Sequence, residues 1–237
     1  MEKKRTAIIL AAGSGLRMGG NVQKQFLELE GRPLICHTLE HFQRADCIDE
    51  IILVTGKESI EYCRKQIVEK FHFTKVHKIT EGGRERYDSV YQGLLASSDA
   101  GYVFIHDGAR IFADESLLER GWQQVQKLNS AVAAVPAKDT MKVVVGGNHQ
   151  VESTPDRSTV WSAQTPQIFE YGRIRKAYDR LYESDREGIT DDAMVLERFS
   201  DEPVFLFEGS YRNIKITTPD DLPVAEAYLK MMKAEKN

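Results

Sequence analysis

The sequence predicts an α/β protein built on a mostly parallel β-sheet with helices on both faces. Short runs rich in Ile and Val alternate with amphipathic stretches up to residue 135, and polar residues or glycine bound each run. Continuous apolar runs of this length are typical of strands that are buried on both faces. Strands are therefore expected at residues 6–10, 50–54, 75–79, 102–105 and 131–135.

The stretches between these runs have the periodicity of helices. Leu34, Ile35, Leu39 and Phe42 fall on one helical face, as expected for a helix packed against a sheet. Strand–helix alternation favours a parallel sheet, so the predicted layers are Rossmann-like. Helices are expected at residues 33–43, 57–70, 84–96, 115–128, 171–183 and 191–198, a strand at 204–207, another short strand before Thr217, and a terminal helix from Pro219 to residue 229.

Between residues 139 and 160 the pattern changes to that of a β-hairpin. Three valines, residues 143–145, are followed by Gly146, Gly147 and Asn148, which suit a tight turn, and then by a second short strand at 150–152. The hairpin has few large apolar residues to bury by itself. We therefore expect, within one domain spanning residues 1–237, a protruding β-arm that packs on a second subunit; a surface flap is the alternative.

Composition limits the classes of function. The 237-residue chain has a formal net charge of -4, and non-specific nucleic-acid binding needs a basic face, so no nucleic-acid partner is expected. The apolar run 7–12 is too short to cross a membrane, so no membrane partner is expected. Cys36, Cys47 and Cys63 form no C-x-x-C pair, which favours a reducing cytoplasm over a disulfide framework.

A glycine-rich loop follows the first predicted strand. It contains Gly13, Gly15 and Arg17, and Lys24 comes shortly after it. Glycines let backbone N–H groups approach an anion, and the two cations add the charge that a triphosphate needs. The loop therefore predicts a phosphate site, although an ordinary strand–helix connection with two surface cations stays open.

Two common phosphate motifs do not fit this loop. The dinucleotide fingerprint G-x-G-x-x-G has its third glycine where this chain has Met18. The P-loop has Ser or Thr after its Lys, whereas Gln25 follows Lys24. An NAD(P)-binding oxidoreductase and a nucleotide-sensing module without turnover remain as alternatives of a different class.

Further motifs follow the loop in a fixed order. They are Gly82-Gly83 with Glu85-Arg86 and Asp88-Ser89-Val90, His106-Asp107-Gly108-Ala109-Arg110, Pro136, Asp139-Thr140-Met141-Lys142, Arg157, the run WSAQTPQIF at 161–169, Thr190-Asp191-Asp192-Ala193, and NIKITT at 213–218. In this order they resemble the 2-C-methyl-D-erythritol 4-phosphate cytidylyltransferase family, from about residue 6 to the terminal helix. That family, among the sugar nucleotidyltransferases, joins CTP to methylerythritol phosphate and releases pyrophosphate in non-mevalonate isoprenoid synthesis. Each motif alone is weak, but the ordered set is specific.

The substrate assignment depends on small differences from a neighbouring family. Ribitol 5-phosphate cytidylyltransferases share several of these motifs, but usually have two glycines in the loop where this chain has Ala11 and Ala12, and Ser-Val where it has Gly108-Ala109. The resemblance therefore favours methylerythritol phosphate, with ribitol 5-phosphate as the alternative. Ile111 stands where the favoured family usually has Pro, a change that removes no charged group.

The resemblance implies a role for each matching residue. Arg17 and Lys24 would grip the triphosphate, and Lys215 and Arg157 would act on the attacking phosphate. The neighbouring subunit of a homodimer would supply Arg157 through the β-arm. The implied nucleotide-binding residues are Ala11, Ala12, Gly13, Gly15, Gly83, Ser89 and Asp107, and the implied substrate-binding residues are Arg110, Thr140 and Arg157.

Asp107 is also expected from the fold pattern. It follows the predicted strand 102–105, and the carboxyl ends of parallel strands form the ligand crevice of such sheets. Its carboxylate suits Mg²⁺, the implied cofactor, although a turn or helix cap is the alternative. His37 and His41 lack the Glu of an H-E-x-x-H zinc site, and Asp191-Asp192 are expected to cap a helix.

Overall fold

The structure is a computed structural model that describes residues 3–13 and 23–235. Gly15 and Arg17 of the glycine-rich loop lie outside the described residues. The strands of the described chain are β1 (Lys4–Ala11), β2 (Glu28–Leu29), β3 (Arg32–Pro33), β4 (Glu50–Thr55), β5 (Val76–Glu81), β6 (Ala100–Asp107), β7 (Ser130–Pro136), β8 (Val143–Val145), β9 (Gln150–Ser153), β10 (Trp161–Glu170) and β11 (Leu206–Glu208).

Seven of these strands form one sheet in the order β11-β7-β10-β6-β1-β4-β5. Every neighbouring pair in it is parallel except the two pairs of β10, which runs antiparallel to β6 and β7. The mostly parallel sheet is therefore confirmed. Sequence analysis missed β10, because Gln164, Thr165 and Gln167 are buried in its centre and interrupt the apolar run that marks a buried strand.

Helices flank the sheet. They are α1 (Leu34–Arg44), α2 (Ile60–Tyr62), α3 (Arg86–Ala96), α4 (Glu115–Leu128), α5 (Tyr171–Tyr182), α6 (Asp192–Phe199) and α7 (Asp221–Glu235). The predicted helix at 57–70 is a composite of a 3-10 turn, α2 and a π-helical segment, Cys63–Glu69. Asp191 accepts a hydrogen bond from the backbone of Met194 at the start of α6, so the expected cap at this position is confirmed.

The apolar core divides into clusters on the two faces of the sheet. Successive side chains of β1 alternate between them, so that Ile9 packs with Leu39 and Phe42 of α1 on one face, and Ile8 packs with Val90 of α3 on the other. A third cluster lies beside α7 and contains Ile111, which is fully buried. The residue that departs from the family pattern therefore serves as a core side chain.

Two further segments bear on the predicted site. The prediction of a strand before Thr217 is wrong, since residues 213–217 form no strand. Ile216 is nevertheless buried, and the side chain of Lys215 is partly exposed. β8 and β9 pair antiparallel in a separate two-stranded sheet, as the hairpin pattern predicts. Val144 and Val151 of this arm are 48% and 51% exposed. Among the described residues, no helix combines the length and the apolar character that a membrane crossing requires.

We predict that Gly93→Ala destabilises the fold, because α3 packs closely on the sheet at this position. An added Cβ would lie 2.4 Å from Cγ2 of Ile8, a β-branched side chain with little freedom to move. The expected loss is about 1–3 kcal/mol in the free energy of unfolding, measured by urea denaturation. Gly147→Ala is the control, since a Cβ there meets no atom within 4 Å. Equal stability of the two variants would contradict the close packing of α3.

Candidate active site

A cleft of about 360 Å³ opens at the carboxyl ends of β1 and β6. In the sheet, β4 and β5 lie to one side of β1 and β6 lies to the other, so the strand order reverses at β1. Such a switch point leaves a crevice for a ligand. The lining residues are Leu10, Ala12, Gly13, Lys24, Gly83, Arg84, Glu85, Arg86, Ser89, Asp107, Ala109 and Lys215. Seven of the sequence-predicted site residues are among them: Ala12, Gly13, Lys24, Gly83, Ser89, Asp107 and Lys215.

Asp107 lies between two cations in this cleft. Its Oδ2 is 2.7 Å from Nζ of Lys215, and its Oδ1 accepts a hydrogen bond from Nε of Arg86 at 3.0 Å. Burial by itself would raise the pKa of Asp107, but Arg86 and Lys215 outweigh it and hold that pKa well below its ordinary value. Asp107 is therefore ionised at neutral pH and fixes both cations beside the cleft.

Arg86 is anchored at its far end by a second carboxylate. Its two terminal nitrogens donate to the oxygens of Asp192 at 3.0 and 2.8 Å, and the hydroxyl of Tyr178 donates to Asp192 at 2.6 Å. Asp192 is fully buried. Burial alone would lower the pKa of Arg86, but Asp192 and Asp107 raise it well above its ordinary value, so the guanidinium stays charged.

The turn from β5 into α3 forms another wall of the cleft. The backbone N–H of Gly83 donates to Oγ of Ser89 at 3.1 Å, and that hydroxyl donates to the carbonyl of Glu85 at 3.3 Å. A Cβ on Gly82 would lie 2.5 Å from Cβ of Ala12, so this turn packs directly against the end of β1. The turn is thereby held beside Ala12, where β1 ends.

A closed ring of hydrogen bonds next to the cleft includes Thr165, which also bonds the backbone of Asp107. Thr165 accepts from the backbone N–H of Asp107 at 3.1 Å, so its hydroxyl can donate to Nδ1 of His106 at 3.0 Å. Nε2 of His106 then donates to the carbonyl of Arg110 at 2.9 Å. Arg110 donates to the carbonyl of Asn213 at 2.7 Å, and Asn213 donates to the carbonyl of Thr165 at 2.8 Å.

The remaining described candidates do not line the cleft. Ala11 is buried, and its carbonyl accepts from Gln25 at 2.6 Å. Arg110 donates a hydrogen bond to the carbonyl of Asn213, and burial lowers the pKa of Arg110. Thr140 and Arg157 are exposed at the base of the arm, where Arg157 donates to the carbonyl of Lys138 at 3.2 Å.

Comparison with known proteins decides the family. Residues 6–231 match the family model of 2-C-methyl-D-erythritol 4-phosphate cytidylyltransferase. The chain belongs to this family. The relative of that name from Lachnospira eligens is 47% identical over 95% of this chain and 99% of its own length. The one from Alkaliphilus oremlandii is 47% identical over 96% of this chain and 95% of its own.

A solved structure agrees with this assignment. The crystal structure of 4-diphosphocytidyl-2C-methyl-D-erythritol synthase from Anaerococcus prevotii superposes with a TM-score of 0.83 at 37% identity, covering 96% of this chain and 99% of that one. Membership of the cytidylyltransferase family confirms the resemblance seen in the motifs. It also argues against the alternative of an NAD(P)-binding oxidoreductase.

The described part of the cleft offers Asp107 as a carboxylate beside which a metal ion could lie. Among residues 3–13 and 23–235, no cluster of three or more His, Cys, Asp or Glu side chains could hold a metal ion. Asp107 already has both oxygens engaged by cations. Because Mg²⁺ commonly uses one or two carboxylates with water and substrate phosphates, the site fits a metal that arrives with a nucleotide rather than a metal held by protein alone.

Sequence reasoning missed Arg86, Asp192 and Tyr178 as parts of this site. Arg86 stands in the Glu85-Arg86 motif of the resemblance without an assigned role, and its partner Asp192 lies 106 positions farther along the chain. The sequence indicates a helix cap at Asp191-Asp192 and no ion pair with Arg86. Only the meeting of α3 and α6 across the sheet could show that the two residues pair.

We predict that the fold loses stability as the pH falls from about 6.5 toward 4, partly through His106. Burial lowers the pKa of His106 to about 4, more than the Arg110 carbonyl and the Asp107 carboxylate raise it. Since the unfolded ring has a pKa of about 6.5, the unfolded state binds an extra proton in this window, costing at most about 1.4 kcal/mol per pH unit. This stabilisation is complete above about pH 6.5. Urea denaturation at several pH values measures the slope.

His106→Gln keeps a side-chain amide near the Arg110 carbonyl but removes the titrating ring, so its slope should be shallower. His77→Gln, at an exposed histidine, should retain the slope of the unmodified protein. Identical slopes in all three proteins would contradict the assignment to His106.

Proposed function

We propose that this chain transfers a cytidylyl group from CTP to 2-C-methyl-D-erythritol 4-phosphate, giving 4-CDP-2-C-methyl-D-erythritol and pyrophosphate in the non-mevalonate route to isoprenoid precursors. The observation that carries the proposal is a family match over residues 6–231 whose cleft gathers Lys24, Asp107 and Lys215. These residues come from distant parts of the chain.

The chemistry requires two polyanions to meet. An oxygen of the methylerythritol phosphate forms a bond to the α-phosphorus of CTP, while the bond from that phosphorus to the bridging oxygen breaks and pyrophosphate leaves with the electron pair. Negative charge grows on the α-phosphate and the leaving oxygens, so cations fixed in advance lower the barrier. We assign this role to Lys24 and Lys215, with Arg17 in the loop that the structure does not describe. The reaction needs no covalent nucleophile.

Lys215 is well suited to receive the attacking phosphate. Its ammonium is 2.7 Å from Asp107, and its flanking residue Ile216 anchors the segment in the core. An ammonium has three N–H donors, so Lys215 can bind a phosphate oxygen while it keeps its contact with Asp107. Asp107, held in place by Arg86, would lie beside the ribose or the metal.

The nucleotide would lie along the remaining walls of the cleft. Ala12 and Gly13 offer backbone groups at the end of β1, and Gly83 with Ser89 offers a second edge of backbone and hydroxyl groups for the base. When bound, Mg²⁺ would neutralise phosphate charge, with Asp107 as the protein carboxylate beside it. Arg110, which donates to the carbonyl of Asn213, would hold the segment that carries Lys215.

We further propose that the chain acts as one nucleotidyltransferase domain that dimerises through its arm at residues 139–160. The valines of β8 and β9 are exposed, and an isolated two-stranded hairpin with exposed apolar side chains has little stability in water. A partner subunit could cover these side chains. Thr140 and Arg157 stand at the base of this arm and outside the cleft of their own chain. A partner's cleft is therefore where they would meet the methylerythritol phosphate.

The assay that tests the reaction measures pyrophosphate release from CTP and Mg²⁺ with either methylerythritol phosphate or ribitol 5-phosphate. We expect release with methylerythritol phosphate and little with ribitol 5-phosphate. Release with ribitol 5-phosphate alone would keep the chemistry and overturn the substrate. No release with either, from protein shown to be folded by circular dichroism, would overturn the proposed function.

The arm predicts that two inactive chains can restore each other. Lys215→Ala and Arg157→Ala homodimers should each lose about 10²- to 10³-fold in kcat, because each lacks a cation that faces the phosphates. In a heterodimer purified through two different tags, the Arg157→Ala chain keeps Lys215 and receives Arg157 from its partner. One of the two sites is then complete, and activity should return to about half of the unmodified dimer.

Lys230→Ala, at an exposed lysine of α7, is the control and should keep full activity. A heterodimer no more active than its parents would show that Arg157 acts within its own chain. A fully active monomer in sedimentation would overturn the dimer itself.

A further inference from the structure

Arg86 has an unusual placement for a residue that lines a ligand cleft. All three of its guanidinium nitrogens are engaged by carboxylates: Nε by Asp107, and the two terminal nitrogens by Asp192. Its side chain is only 26% exposed. The planar fork of a guanidinium can bridge two carboxylates in this way, whereas a lysine ammonium acts as a single point charge.

The far end of this bridge is fixed by the core. Asp192 is fully buried, receives a hydrogen bond from Tyr178, and lies at the start of α6, where its backbone N–H donates to Gln167 of β10 at 3.0 Å. Asp192 is therefore held by α5 and β10 as well as by its own helix. Since Asp192 is buried and does not line the cleft, it serves as a rigid support for Arg86.

At the cleft end of the bridge, the contact of Arg86 with Asp107 sets the position of Lys215. Arg86 occupies Oδ1 of Asp107, which leaves Oδ2 for Lys215. If Arg86 were absent, the carboxylate could rotate, and both of its oxygens could compete for the one ammonium. The direction in which Lys215 is held would then no longer be fixed.

We propose that Arg86 is a positioning residue for the cytidylyl transfer: through its bridge from Asp192 to Asp107 it holds Lys215 in the direction needed to meet the attacking phosphate. The inference rests on the proposed function of the same cleft. Because Arg86 acts by holding Lys215, the effect of removing Arg86 on the reaction rate depends on whether Lys215 is present.

The test is a double-mutant cycle measured by pyrophosphate release. Arg86→Lys keeps a positive charge but lacks the planar fork whose separate nitrogens reach both carboxylates. Arg86→Gln/Asp192→Asn removes both charges together, so that neither buried partner is left as an unpaired ion. Each is made alone and with Lys215→Ala, and thermal unfolding confirms that each protein is folded. Arg175→Gln is the matched control, because Arg175 pairs with Asp179 at 2.9 Å, is 25% exposed and lies outside the cleft.

We expect both Arg86 replacements to lower kcat by about 10- to 100-fold, with the KM for CTP changed much less, since small displacements of a reacting group carry costs of this size. In the Lys215→Ala background the same replacements should lower kcat by less than about threefold, because their effects are not independent. Arg175→Gln should keep the kcat of the unmodified protein.

Three results would overturn the inference. One is an unchanged kcat in the folded double replacement. Another is an equal fold-loss with and without Lys215, which indicates a merely structural contribution. The third is loss of the native fold in both Arg86 proteins. Failure of the unmodified protein to release pyrophosphate would instead overturn the proposed function, so the two failures are distinguishable.

Discussion

The ion pairs of Asp107 are the interaction on which the rest of this site depends. A carboxylate that is taken out of water loses much of its solvation, and it stays ionised only where cations and hydrogen-bond donors replace that solvent. Asp107 obtains them from Arg86 of α3 and from Lys215 after β11, while its backbone N–H donates to Thr165 of β10. Because these groups come from separate parts of the chain, the ion pairs require that the elements meet at the end of β6.

Within the seven-stranded sheet of the described chain, β10 runs antiparallel to its neighbours and supplies the polar side chains around Asp107. β10 lies between β6 and β7 and brings Gln164, Thr165 and Gln167 into the buried sheet. Thr165 connects to His106 and Asp107, and Gln167 connects to the start of α6. A uniformly apolar strand would complete the sheet equally well. It would leave the backbone and side chains around Asp107 without partners, and unpaired buried polar groups are costly.

The β-arm presents a different kind of constraint. Its valines pack on no core cluster of the described chain, so its folding cannot draw on burial within this subunit. A hairpin of this size gains little stability alone, and a second subunit that covers it would supply the missing apolar burial. If that is so, the same contact would bring Arg157 to a phosphate, and dimerisation and catalysis would be coupled through the arm.

The sequence by itself determined the layers of the fold, because the runs of Ile and Val and the helical periodicity report directly which faces are buried. It also determined the family and most of the lining of the cleft, because the glycine-rich loop, Ser89, Asp107 and Lys215 lie in recognisable motifs. The tertiary structure decided what no local pattern carries: the insertion of a polar strand, β10, into the sheet, and the pairing of Arg86 with Asp192. Both depend on contacts between residues far apart in the chain, whose energy arises only once burial has removed the water around them.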